Sequence, residues 1–359
     1  MARFLILSCD GGGIRGYLSS LLLKQLDSAL GFFGAKNGNI DLYAGTSTGG
    51  LIALALAQGK TIDSIFNLYA TQGGQIFKSL DWLVHCMGLQ AKERMLAGAP
   101  GQGLGGFWDV KEAWQVLYDD IGDPSLLTVL QSFIPGNPLL SSLPNQVMVA
   151  TFQLSDSITS PASWGPLVID NLPGSNGGAT HLYEAALSTS AAPVYFPPYQ
   201  HPKFGWCSDG GLFANNPAAL AIGRAIQEGQ SLSDIVLLSV GTGLTASSLP
   251  VSEPERRCFG LNHWAWFETS GPTPPFPLLN GMMDGVSTAN DYLCGQLLGE
   301  FPAVPNGRYF RVNPQLPQSV PLDDYSDKAL KMLHKVADDY IASPAWQNLM
   351  QWITNQFHK

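Results

Sequence analysis

Charge is what this chain has least of. Asp, Glu, Lys and Arg make up 13% of its 359 residues, about half the share of an average soluble domain. Basic residues are the scarcer sign, with 19 Lys and Arg against 28 Asp and Glu and a formal net charge of −9. That excludes a basic footprint for nucleic acid, and it gives no electrostatic pull toward an anionic membrane, so any lipid contact has to be mainly apolar. Cysteine is sparse as well. Cys9, Cys86, Cys207, Cys258 and Cys294 are odd in number and contain no C-x-x-C pair, which predicts reduced thiols in a cytoplasmic protein and no thiolate metal site. No run reaches the ~18 uncharged apolar residues of a spanning helix. The short apolar start, residues 1–7, lacks the length and cleavage site of a secretory signal.

What is present is apolar material, 45% of the chain, together with 39 glycines and 25 prolines. Residues 4–9 form a continuous apolar run ended by Asp10-Gly11-Gly12-Gly13, as in a buried parallel strand entering a glycine turn. From Tyr17 to Leu30 the apolar residues recur on one helical face. Residues 40–44 read as a second strand and residues 51–57 as an Ala/Leu helix. The opening is therefore strand-turn-helix twice over, which predicts a mostly parallel central sheet flanked by helices in one α/β domain. Further strands are predicted at 147–152, 235–240 and 309–312, and a final helix at about 326–342. Residues 73–145 read as a helical cap inserted over the sheet, and residues 250–285 as a long aromatic, proline-rich loop.

Gly45-x-Ser47-x-Gly49 has the spacing of a nucleophile elbow, in which a serine sits on a tight strand-to-helix turn. The pattern alone is weak, but here an apolar strand precedes it and a helix follows. That helix's N-terminus would favour developing negative charge. Gly11-Gly12-Gly13-Ile14-Arg15-Gly16 fits a dinucleotide site poorly, because no acidic residue closes the second strand. Consecutive glycine amides before a helix suit an oxyanion site instead. Arg15 has two readings at this point, a contact to a lipid phosphate or a pairing with Asp10 or another carboxylate.

The base is less legible. Of the six histidines, only His263 lies where a conventional triad could use it. Asp209-Gly210-Gly211 offers a carboxylate at a loop tip, but Asp-Gly-Gly is also an ordinary turn. A carboxylate of ordinary pKa is a weak base for a hydroxyl, so burial near Ser47 would be required.

The chain resembles the patatin-like phospholipases, relatives of tuber patatins and cytosolic phospholipases. Five ordered blocks carry the resemblance: residues 10–16, Gly45-Thr-Ser47-Thr-Gly49, Leu187 through Pro198, Asp209-Gly-Gly-Leu-Phe-Ala-Asn-Asn-Pro217, and Leu238-Ser-Val-Gly-Thr-Gly243. The resemblance implies a patatin-like three-layer sandwich and hydrolysis of lipid acyl esters by a Ser–Asp dyad, without histidine, metal or cofactor. On it, Ser47 maps to the nucleophile and Asp209 to the base. Gly11, Gly12, Gly13 and Arg15 map to the oxyanion and substrate site, and Gly16, Gly45, Gly49, Gly210 and Gly211 to the motifs that shape it. The implied partner is a lipid or phospholipid. Residues 60–145 match poorly, so head-group and chain-length preference stay open. Trp264, Trp266, Phe267 and Phe276, with Leu278, Leu279, Met282 and Met283, read either as core or as a lip that dips transiently into a membrane interface. A lipid-storage protein and an acyltransferase using the same dyad are the competing functions.

Overall fold

The computed structural model describes residues 3–34, 40–77, 125–155, 164–193, 195–196, 198–247, 264 and 277–357. Most of the cap expected at 73–145 and most of the loop expected at 250–285 lie outside these residues, as do His85, His263, Trp266, Phe267 and Phe276.

The strands are β1 Phe4–Cys9, β2 Leu42–Thr46, β3 Val147–Ser155, β4 Gly165–Asp170, β5 Tyr199–His201, β6 Gly205–Asp209, β7 Ile235–Val240, β8 Leu244–Thr245, β9 Tyr309–Val312 and β10 Gln315–Leu316. The helices are α1 Gly16–Leu30, α2 Thr48–Ala57, α3 Ile62–Ile76, α4 Ser125–Phe133, α5 Leu182–Thr189, α6 Gly211–Ala214, α7 Ala218–Gln227, α8 Pro277–Leu298, α9 Asp327–Ile341 and α10 Pro344–Gln356. The main sheet has eight strands, running β5-β6-β3-β2-β1-β7-β9 with β4 paired to β3, and a small parallel pair joins β10 to β8. The β2-β1-β7-β9 core and the β2–β3 pairing are parallel, while β4, β5 and β6 join antiparallel.

Alternation along the strands assigns the two faces. Leu5, Leu7 and Cys9 of β1, with Val236 and Leu238 of β7, pack with α1, α2, α3, α9 and α10. Ile6, Leu42, Met148 and Leu237 point the other way, onto α7 and α8. Both faces of the parallel strands are thus covered, which is why β1 and β7 read as unbroken apolar runs. The outcome is the expected three-layer α/β architecture.

One correction concerns residues 277–285, expected to be loop. They are the first turns of α8. Pro277 has no amide to lose at the first helical position, and the clustered prolines just upstream masked the helical spacing that follows.

Candidate active site

The sheet register brings the two sites of interest together. The strand β3 has two edges, and β4 occupies one of them along Met148 to Gln153. Both β2 and β6 must therefore share the other. Thr46, the last residue of β2, pairs with Ala150, and Asp209, the last residue of β6, pairs with Thr151. The strand β2 runs up that edge and β6 runs down it, so they end head to head on adjacent rungs. Ser47 follows Thr46 directly, and the C-terminal rim of the parallel strands becomes the site, as usual in open α/β sheets.

Ser47 caps the N-terminus of α2 with φ 54° and ψ −125°, a strained conformation for a residue with a side chain. Its amide is held by the Thr189 hydroxyl at 3.0 Å, and Thr189 in turn donates to the Ala150 carbonyl at 2.5 Å. A Cβ at Gly49 would fall 2.1 Å from the Cys9 carbonyl, and one at Gly45 would fall 2.2 Å from the Gly49 carbonyl. The elbow closes against β1 only because both positions are bare.

Asp209 is 2% exposed and closes β6 rather than forming a loop tip, and Gly210 and Gly211 start the short helix α6. Its Oδ1 accepts the Gly211 amide at 2.7 Å. Its Oδ2 is buried without an ordinary hydrogen bond, and the facing Ser47 hydroxyl is the side-chain group that favours its ionised form. Burial outweighs that help and pushes the carboxyl up to about 7. A carboxylate so placed is a far stronger base than an exposed one.

The glycine block splits by function. The Gly11 amide donates to the Asn215 carbonyl at 2.9 Å, while the Gly11 carbonyl accepts Thr242 Oγ1 at 3.0 Å and Asn215 Nδ2 at 3.4 Å. Gly11 is thus an anchor. The amides of Gly12 and Gly13 meet no acceptor among the described residues, and Gly13, at φ +57°, presses so near the Leu322 carbonyl that a side chain has no room. Gly16 lies against Thr48 and Tyr69 in the same way. Arg15 donates from Nε to the Gly12 carbonyl at 3.3 Å. It does not pair with Asp10, whose partner is Arg311. Burial lowers the Arg15 pKa, and Asp284 is foremost among the groups opposing that.

Ser47 lines a small concavity that opens to solvent, together with Gly13, Phe77, Ala192, Tyr195, Phe196, Leu322 and Asp323. Its walls are mostly apolar. The described histidines have other partners: His334 Nδ1 bonds with the Tyr17 hydroxyl, His181 Nδ1 with the Asn137 carbonyl, and His201 Nδ1 with the Lys203 and Phe204 amides. No group of three His, Cys, Asp or Glu among the described residues is placed to hold a metal ion. Sequence reading missed Thr189, Asn215 and Thr242, which orient the two loops. All three lie in or beside blocks it had marked, but a side chain's bond to distant backbone leaves no spacing signal.

A strained serine at a helix start, a buried facing carboxylate and adjacent unbonded amides form a constellation able to support attack on an acyl carbonyl. The class defined by fold and site is that of the α/β proteins with a serine elbow on a parallel sheet. A family model described as patatin-like phospholipase matches residues 7–222, and the chain belongs to that family. It is 29% identical over 249 residues to a cGAMP-activated phospholipase of Vibrio cholerae, covering 66% of this chain and 63% of that protein. It is 28% identical over 298 residues to patatin-like protein 2 of Arabidopsis thaliana, covering 74% and 66%. The chain thus spans less than two thirds of those relatives' lengths. Protein teg of Priestia megaterium is 23% identical over 97% of this chain and 98% of its own. Among solved structures, VipD from Legionella pneumophila superposes with a TM-score of 0.46 at 12% identity, covering 99% of this chain and 67% of that one.

Proposed function

We propose that this protein is a lipid acyl hydrolase that cleaves fatty-acyl esters through Ser47 and Asp209. The single observation that carries the reading is the end-to-end meeting of β2 and β6, which sets a buried, unbonded carboxylate oxygen opposite the elbow serine. In the forward step the Ser47 hydroxyl adds to the ester carbonyl and its proton passes to Asp209 Oδ2. The tetrahedral oxyanion is met by the Gly12 and Gly13 amides and by the N-terminal end of α2. Collapse breaks the ester C–O bond, Asp209 returns the proton to the leaving alcohol, and an acyl-serine remains. Water then repeats the sequence with Asp209 as base, releasing the fatty acid. Membership of the phospholipase family supports a lipid substrate, and the mostly apolar lining beside Ser47 suits the carbonyl end of an acyl chain.

The lipid meets the protein at the C-terminal end of the sheet, where Ser47 lies. Trp164, 76% exposed, precedes β4 at the same end of the sheet, though on the opposite edge of β3, and Leu278 and Met282 are exposed on the first turns of α8. Indole suits the headgroup boundary. Of the lip residues read from sequence, Met283 is buried, and a Cβ on Gly211 would sit 3.0 Å from its terminal methyl, so it is packing. No described helix is long and apolar enough to cross a membrane. The test is release of free fatty acid from phosphatidylcholine vesicles and of alcohol from a short-chain aryl ester. Turnover in wild type that vanishes in Ser47→Ala and Asp209→Asn supports the reading; full turnover in a folded Asp209→Asn sinks it.

A further inference from the structure

We propose that Arg311 and Asp10, keyed by Ser287 of α8, form a positioning pair for the oxyanion loop, acting on the acylation step and not on substrate affinity. The inference rests on the hydrolase reading above. Arg311 and Ser287 both lie beyond the stretch matched by the family model.

Asp10 is the residue immediately before Gly11-Gly12-Gly13. Five contacts tie the backbone of this loop to its neighbours: Asp10 amide to Val240 carbonyl, Gly11 amide to Asn215 carbonyl, Thr242 hydroxyl and Asn215 Nδ2 to Gly11 carbonyl, and Ile14 amide to Leu322 carbonyl. None of them holds the loop by a side chain of its own. Apart from Arg15 Nε, which bonds the loop's own Gly12 carbonyl, Asp10 does that. Its carboxylate takes both ends of the Arg311 guanidinium, Nη1 to Oδ1 at 2.8 Å and Nη2 to Oδ2 at 2.5 Å, and Oδ2 also accepts the Ser287 hydroxyl at 3.1 Å. The pair is 3% and 7% exposed.

The reach is specific to arginine. Ser8 of β1, Ser239 of β7 and Arg311 of β9 stand on one rung of the sheet. The guanidinium crosses the whole of β7 to arrive at Asp10, bonding the Ser239 hydroxyl at 2.7 Å on the way. It passes over Gly241, where a Cβ would lie 3.0 Å from Nη2. A lysine could span the gap but presents one point charge in place of a planar fork.

The electrostatics explain why a charge belongs here. A buried carboxylate next to a site built for an oxyanion opposes the reaction, because like charges interact strongly where water is excluded. Bidentate pairing cancels that field and fixes the Asp10 side chain, from which the loop departs. Asp291 and Glu300 also lie near Arg311, and Asp291 accepts the Tyr309 hydroxyl at 2.6 Å. Arg311 thus faces several carboxylates, with Arg15 a second cation acting on Asp10. Buried ion pairs are weak evidence for stability, so a role in geometry and field accounts better for this one.

The experiment is stopped-flow acylation with p-nitrophenyl butyrate, with steady-state KM and melting temperature recorded for every variant. Arg311→Met should slow the acylation burst about 100-fold, the loss typical of one oxyanion donor, with KM within about twofold. Asp10→Asn should lose less, roughly 10-fold, because it leaves the positive charge near the oxyanion. Arg311→Lys should recover part of the Arg311→Met loss. Wild-type burst rates in folded Arg311→Met and Asp10→Asn overturn the proposal. So do equal losses in the two that follow melting temperature alone. Where Arg311→Met does not fold, the near-isosteric Asp10→Asn and the milder Ser287→Ala decide by the same criterion. A burst that survives in Ser47→Ala sinks the hydrolase reading itself, whatever Arg311 does.

Discussion

The rim of the sheet where Ser47 meets Asp209 and the C-terminal helical pair α9–α10 are built on opposite terms. At the rim, Ser47 holds a positive φ, and Asp209 Oδ2 and Asn215 Oδ1 are buried without bonding partners. Trp164, Leu278 and Met282 face outward there. In the helical pair almost every local rule is obeyed. Ser326 caps α9 by accepting the Ala329 amide, Lys335 pairs with Asp339 one turn on, and Trp352 is fully buried with its indole N–H on the Gly307 carbonyl. The outer faces differ too. Lys328, Lys331, Lys335, Asp338 and Asp339 line the exposed side of α9, whereas the only charges on α8, Asp284 and Asp291, are not on its exposed side. The contrast sets strain and unpaired polarity at the rim, where chemistry is proposed, against a helical pair whose local rules are satisfied.

Mutations should therefore separate into two populations. The largest effect is expected for Ser47→Ala, which leaves the fold and lowers ester turnover by at least about 10⁴-fold, as loss of a nucleophile does; a burst assay measures it. Asp209→Asn should lower turnover by about 10³-fold or more and yet stabilise the protein at alkaline pH. The folded carboxyl, at about 7, sits above its unfolded value. The folded state therefore binds the extra proton, and its stabilisation is complete below pH 4 and lost as pH rises through 7. Thermal melts should find the Asn variant more stable by on the order of 2–4 kcal/mol at pH 8 and about equal to wild type at pH 4. The same group should give kcat/KM an ascending limb centred near pH 7; a plateau extending down to pH 5 would remove Asp209 as base.

On the other side of the comparison, Trp352→Ala should cost about 3–5 kcal/mol in a denaturant titration while the folded fraction keeps its burst rate. Leu278→Ser with Met282→Ser should lower turnover on phosphatidylcholine vesicles about 10-fold, by lost apolar contact, and leave the soluble ester unaffected. Equal loss on both substrates would place these residues in the pocket and not at the interface. The smallest change is Lys335→Ala, within about 0.5 kcal/mol, as for other exposed helix pairs.

Much of this molecule could be read before its coordinates. The apolar runs of β1 and β7 were legible because both sheet faces are covered, and α9 because its polar and apolar sides alternate with helical period. The elbow and the glycine block were legible because they meet local backbone demands, and such demands restrict residue type at fixed spacing. The strand β6 was not. Gly205-Trp-Cys-Ser-Asp209 is short and mixed, and it joins the sheet antiparallel, so no periodicity announces it. The helix α8 was half hidden by the prolines before it and by the lack of charge that normally marks a solvent side.

The amino-acid sequence by itself determined which backbone turns could form and which residue types stood on them, because sterics and hydrophobic period act over a few neighbouring residues. Whether Asp209 tipped a loop or closed a strand facing Ser47, whether Arg15 or Arg311 took Asp10, and which glycine amides stayed free depended on strand order and register. Those relations join residues far apart along the chain. Only packing the whole sheet, with its two strand ends meeting on adjacent rungs of β3 and its burial lifting the Asp209 pKa, decided them.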